Sequence, residues 1–173
     1  MQNIYLATRE DIKEIKEIMD VAMNLLEHKE WYVPDDEEFL ERHIDAEGYI
    51  LKYEVEEREN STQIAGFLVV RYPKKAKDNL SVYLPEEEAV LPEEVAHMES
   101  AAVLPKFRGQ HIQQKLLAYA ENAEREKGTK YLMGTVHPDN VYSLGSLERE
   151  GYSCLLETEK YGGLKRKIVA KKL

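Results

Sequence analysis

A chain of 173 residues with 43% hydrophobic and 33% charged residues has enough apolar material for one core, over 1–173, and is not a disordered polypeptide. No apolar run approaches a bilayer span and the N-terminus lacks the apolar core and cleavage site of a signal peptide, so a cytoplasmic protein with no membrane role is expected. The 24 basic and 33 acidic residues, net −9, argue against nucleic acid, and the single cysteine, Cys154, excludes internal disulfides and cysteine-cluster metal sites.

The periodicity alternates between strand and helix. Ile4–Ala7 reads as a strand, and Thr8-x-x-Asp11 caps a helix whose Ile12, Ile15, Met19, Ala22, Met23 and Leu26 recur at helical spacing. After a break at Trp31–Pro34, Asp35-x-x-Glu38 opens a second helix with Phe39, Leu40, His43 and Ile44 on one side, ending near Gly48. Tyr49, Leu51, Tyr53 and Val55 alternate with Lys52, Glu54 and Glu56 in a half-buried strand, which the segment 57–62 turns back. The run 64–72 is apolar on both faces and therefore central. Residues 73–94, with Pro85, Glu86, Glu87, Glu88 and Pro92, read as a long loop or small excursion. Strand 96–104, helix 108–126, strand 130–136, helix 139–150, and strands 152–159 and 164–172 follow. Lys165, Arg166 and Lys167, with Lys171 and Lys172, form the one local basic patch, whose plainest reading is a terminal strand kept soluble by its lysines.

The stretch from Val103 to Leu117 is the most informative. A strand stops at Pro105, Gly109 turns the chain, and an amphipathic helix begins. The first-turn N–H groups of a helix have no intrahelical partner and sit at the positive end of its macrodipole, so such a junction holds a phosphate, with Arg108 as a forked cation. Residues 109–113 include no proline, and every amide there is free to donate.

Val103-x-Pro105-x-x-Arg108-Gly109, then Thr135, Val136, His137, Pro138, Asp139 and Asn140, then Leu147 through Gly151 and Tyr152, together resemble the GNAT superfamily of acetyl-CoA-dependent N-acetyltransferases. The match is strongest over 96–153. With Tyr161-Gly162-Gly163-x-x-Arg166 it looks like a poorly characterised bacterial branch that names no substrate. The resemblance implies an α/β (α+β) fold: a mixed, mostly antiparallel central sheet of about seven strands, flanked by about four helices and splayed between the strands at 96–104 and 130–136. It implies that Ala102 and Val103 meet the pantetheine arm of acetyl-CoA, that Arg108, Gly109, Gln110, His111, Ile112 and Gln113 hold its pyrophosphate, and that Asn140 and Ser143 contact it from the following helix. Asn140 equally suits a plain helix cap. His111 and Gln113 stand where the family pattern has small residues, adding bulk where backbone approaches phosphate.

For acetyl transfer, Glu99 stands where many relatives carry a catalytic carboxylate, and a base near neutral pH needs a raised pKa. His97, on the same strand face by alternation, is the reserve. The family's usual general-acid tyrosine corresponds to Leu147, Tyr142 lies about 140° around the helix from it, and the acid stays unassigned. Acceptor selection falls to the first helix pair, the 73–94 excursion and the last hairpin. Their acids, Asp35, Asp36, Glu37, Glu38, Glu86, Glu87, Glu88, Glu93 and Glu94, either attract a cationic amine or form solvated faces. Trp31 and Tyr32 supply an aromatic wall or pack on the sheet, and Tyr161 reaches toward the acceptor. The expected partners are a small-molecule or peptide amine and a second copy of the chain as a homodimer. No metal is expected, since His97-x-Glu99 has no Pro-Cys-x-x-Cys after it. A non-catalytic acyl-CoA-binding or protein-interaction domain on the same fold is the alternative.

Overall fold

The computed structural model describes residues 3–56 and 61–173. Strand β1 (Ile4–Leu6) leads through a 3₁₀ turn into helix α1 (Ile12–Asn24), where Thr8 N–H donates to Asp11 Oδ2 at 2.7 Å. Helix α2 (Glu37–Asp45) precedes the long strands β2 (Gly48–Glu56) and β3 (Thr62–Arg71). Residues 73–94 form a surface excursion of three short 3₁₀ turns before β4 (Val95–Val103). Then come α3 (Ile112–Lys127), β5 (Tyr131–Val136), α4 (Val141–Arg149), β6 (Ser153–Lys160) and β7 (Leu164–Lys172). The turn expected at 57–62 falls mostly outside the described residues.

The strands make one seven-stranded sheet in the order β1-β2-β3-β4-β5-β7-β6. Among the described strands every neighbouring pair is antiparallel except β4 and β5. A parallel pair needs a crossover, and α3 supplies it. Helices α1 and α2 bury Ile15, Met19 and Leu40 against Phe67 and Val69 on one face. Helices α3 and α4 bury Leu116, Ala120 and Leu147 against Leu68, Met98 and Leu132 on the other. With helices on both sides, β3 is buried from Ile64 to Val70, which explains its unbroken apolar run.

Two boundaries differ from the sequence reading. Helix α2 is capped by Asp36, whose carboxylate accepts from Phe39 N–H at 2.7 Å, not by Asp35. Helix α3 starts at Ile112 rather than 108, because Pro105–Phe107 makes a 3₁₀ turn and both Gly109 (φ 78) and His111 (φ 59) take left-handed backbone.

Candidate active site

The site begins where the sheet fails to close. Strands β4 and β5 pair only at Val95↔Tyr131, Ala96↔Leu132 and His97↔Met133, then diverge. From Met98 to Val103, including Ala102 and Val103, the backbone groups of β4 that face away from β3 have no strand to bond. In the ladder between β3 and β4, Val69 pairs with Ser100 and Val70 with Met98, so Glu99 is the extra residue of a β-bulge. A bulge resets the alternation. Met98 and Ala101 pack in the α3 face, whereas Glu99 and Ser100 both line the opposite cleft.

At the far end of β4 the α3 junction is rich in donors. Arg108 N–H donates to Pro105 O at 3.2 Å and Lys115 N–H to His111 O at 3.0 Å. Among the described residues, the amides of 109–114 between them find no acceptor, a succession suited to a pyrophosphate. A Cβ placed on Gly109 would meet nothing within 4 Å, so the loop is open as well as donor-rich. His111, Gln110 and Arg108 are exposed, Gln113 is half-buried and Ile112 is buried beneath the turn. The His111 ring bonds Gln114 Oε1. Asn140 caps α4, its Oδ1 accepting from Ser143 N–H at 3.2 Å, which leaves its amide nitrogen unused by the cap.

A cleft has two lobes that share Glu99, Thr135 and Tyr161. One, of ≈ 320 Å³, is walled by Arg71, Asp78, Leu80 and His97; the other, of ≈ 430 Å³, by Trp31, Tyr32, Asp35, Ser100 and Arg166. All three segments named from the sequence contribute. Of the nine acids named with them only Asp35 lines the cleft, while Glu88 pairs with Lys172 and Glu94 with Lys130 on the surface. Trp31 stacks between His28 and His137, with ring centroids 5.0 and 6.1 Å away. Tyr161, at φ 52 ahead of Gly162 and Gly163, places its hydroxyl 3.1 Å from Thr135 Oγ1.

The two carboxylates of the cleft live in opposed fields. Leu80 N–H donates to His97 Nε2 at 3.0 Å, so the imidazole proton sits on Nδ1, 3.4 Å from Glu99 Oε2. Arg71, held by Asp78 at 2.7 and 3.0 Å, stands 3.8 Å from the same oxygen. Burial pushes the Glu99 carboxyl up, but His97 and Arg71 outweigh it and hold it below its usual value. Asp35 is the reverse case: burial, with the charges of Glu99 and Asp36, raises it to about 6 despite a 2.6 Å bond from Ser100 Oγ. Ser100 Oγ lies 3.3 Å from Tyr32 Oη, whose proton burial retains, giving a chain from Tyr32 through Ser100 to Asp35.

The raised carboxyl is therefore Asp35 and not Glu99, and His97 is buried between Leu80 N–H and Glu99. Leu147 is buried in the core, and Tyr142 is largely solvent-exposed and lines neither lobe of the cleft. Sequence reasoning did not single out Ser100, and it named Asp35 only as a helix cap and as one of nine acids around the acceptor. Ser100 escapes alternation because of the bulge, and Asp35 was absorbed by the capping pattern one residue too early. Among the described residues no cluster suited to a metal ion occurs.

The acetyltransferase (GNAT) family model matches residues 12–152. No curated protein matches the chain. Solved structures share its fold: the ribosomal-protein-S18-alanine N-acetyltransferase of Escherichia coli (TM-score 0.71, 15% identity, covering 99% of this chain and 94% of that one) and the ribosomal-protein-alanine N-acetyltransferase of Brucella melitensis (0.68, 23%, 98% and 99%). The yncA protein of Salmonella typhimurium, solved with its cofactor acetyl-CoA, is similar at TM-score 0.69 and 16% identity over 98% of this chain and 92% of that one. A seven-stranded sheet parted after His97, a donor-rich turn before α3 and a family match across most of the sequence have one meaning: the chain belongs to the GNAT acetyltransferases, enzymes that transfer an acetyl group from acetyl-CoA to an amine.

Proposed function

We propose that this enzyme acetylates a small-molecule or peptide amine that enters as an ammonium ion between Glu99 and Asp35. The observation that carries the reading is the pair of cleft carboxylates driven in opposite directions. At neutral pH Glu99 is charged and holds the cation. Asp35, near 6, is ionised yet basic enough to take the ammonium proton, which an efficient base requires. The neutral amine then lies beside the parted strands. Acetyl-CoA supplies the acetyl group there as a thioester. Its pantetheine arm would run along Ala102 and Val103, its pyrophosphate would rest on Arg108 and the amides of 109–113, and Asn140 and Ser143 would flank it. Unpaired N–H groups of β4 would polarise the reacting carbonyl. The amine nitrogen bonds the thioester carbonyl carbon, the C–S bond breaks, and the second proton shed by nitrogen goes to the departing sulfur, whose thiol titrates at ~8.5, or to solvent, so no dedicated acid is needed.

Release of free thiol from acetyl-CoA across a panel of amines tests the proposal. Turnover is expected with cationic amines, with kcat reduced by roughly 100-fold in Asp35→Asn and KM raised in Glu99→Gln. Calorimetric binding of acetyl-CoA with no turnover of any amine would instead identify a non-catalytic acyl-CoA-binding domain.

A further inference from the structure

The basic patch read from the sequence as solvated holds one residue that is nothing of the kind. Arg166 is 3% exposed, whereas Lys165 on one side of it is exposed and Lys167 half-buried. Alternation along β7 puts Arg166 on the face of Ile168 and Ala170, at the wall of the larger lobe. Its Nη1 donates to Lys165 O at 2.7 Å and its Nη2 to Glu30 O at 2.9 Å. Its guanidinium rests over the Tyr161 ring, 5.5 Å from the centroid. Among the described residues it enters no ion pair, and burial lowers its pKa even against the nearby charge of Glu30. A buried charge without a paired counter-charge is strongly disfavoured, since the interior does not replace the water it has lost. Carbonyls answer two of the five guanidinium donors, and among the described residues no side chain accepts from the other three.

Resting on the proposed site, we propose that Arg166 is the anion-recognising residue of the acceptor pocket and that the acceptor carries a carboxylate close to its reactive amine. Asp35 and Glu99 line the same lobe as Arg166, so one space of ≈ 430 Å³ offers both a planar cation and two carboxylates. An amine alone satisfies only the carboxylates. A molecule with an ammonium and a carboxylate a few bonds apart satisfies both, and the guanidinium fork matches the two oxygens of a carboxylate. Trp31 and Tyr161 then flank the remainder of the molecule as flat apolar surfaces. Free amino acids have this chemistry, and so does a peptide whose first residue is acidic.

The test compares acetylation of phenylalanine and leucine with that of their amides and decarboxylated amines, plus a tetrapeptide beginning with glutamate and its glutamine counterpart. Wild type should prefer a carboxylated member over its neutral counterpart by about 100-fold in kcat/KM, and the preferred pair identifies a free amino acid or a peptide as the source. Arg166→Gln should erase that ratio mainly through KM while acetyl-CoA affinity stays put, and Arg166→Lys should keep part of it. Calorimetry with coenzyme A present should show the same loss of acceptor binding in Arg166→Gln. Equal use of neutral and carboxylated amines by wild type, or an equal fall for both in Arg166→Gln with coenzyme A binding intact, overturns the assignment and leaves the proposed function standing. Failure of every amine overturns both.

Discussion

Asp35 and Glu99 share a cleft, and their neighbours decide what each can do. Glu99 lies beside His97 Nδ1 and faces Arg71, which favour its charged form; for Asp35 the Ser100 hydroxyl and the more distant charge of Arg71 are outweighed by burial and two nearby acids. If Asp35 is the base, kcat/KM should climb with pH through about 6, and Asp35→Asn should lose that limb; a pH–rate profile unchanged by the substitution removes Asp35 from the proton path. Folding raises Asp35 from 3.8 to about 6, so its contribution to stability is complete below about pH 4 and lost as pH rises through 6. Asp35→Asn is therefore expected to melt higher than wild type at pH 8, measurable by calorimetry. Glu99 was legible as a strand residue in a recognisable pattern. Asp35 and Arg166 were not, because each sits in a run of like charges where one-dimensional spacing cannot tell a buried member from its solvated neighbours.

Elements were legible in type and order, and their ends were not. Alternation and 3.6-residue spacing reflect which face meets the core, which is why every strand and helix expected from the sequence is present. Ends depend on left-handed residues and caps. Asp35 and Asp36 are equivalent on paper, yet it is Asp36, on extended backbone, whose carboxylate accepts from Phe39 N–H, while Asp35 accepts from Ser100 Oγ. At the α3 junction His111 occupies a left-handed position, φ 59, the backbone for which glycine is favoured. His111→Gly removes that strain, worth about 1 kcal/mol, and gives back a similar amount in chain entropy, so the melting temperature should scarcely move. If the imidazole's bulk hinders the approach of phosphate, acetyl-CoA should bind several-fold more tightly by calorimetry. Weaker binding would mean that the imidazole itself contacts the cofactor.

For the molecule as a whole, one buried carboxylate ties three elements together at the end of α3 remote from the loop. Glu124 accepts from Tyr49 Oη at 3.0 Å, Tyr72 Oη at 2.7 Å, Lys127 Nζ at 3.0 Å and Thr129 Oγ1 at 2.6 Å, binding β2 and the exit of β3 to the helix. Glu124→Ala strands these donors and should destabilise the fold by about 3–5 kcal/mol in urea titration. The folded fraction should keep its acetyl-CoA affinity, since Glu124 lies about 18 Å along the helix from Ile112. Sequence gave no sign of this network, because its members lie far apart in the chain and each is unremarkable alone. The three-residue pairing of β4 with β5 has a different consequence. Only those three rungs pair the two halves of the sheet along the backbone, and beyond them the core beneath α3 and α4 spans the gap. With the pantetheine arm seated there as proposed, the donor serves as a borrowed strand and draws the halves into one slab. The acceptor would then meet a firm floor only in a loaded enzyme, and depletion of acetyl-CoA would leave the protein not merely idle but easier to unfold.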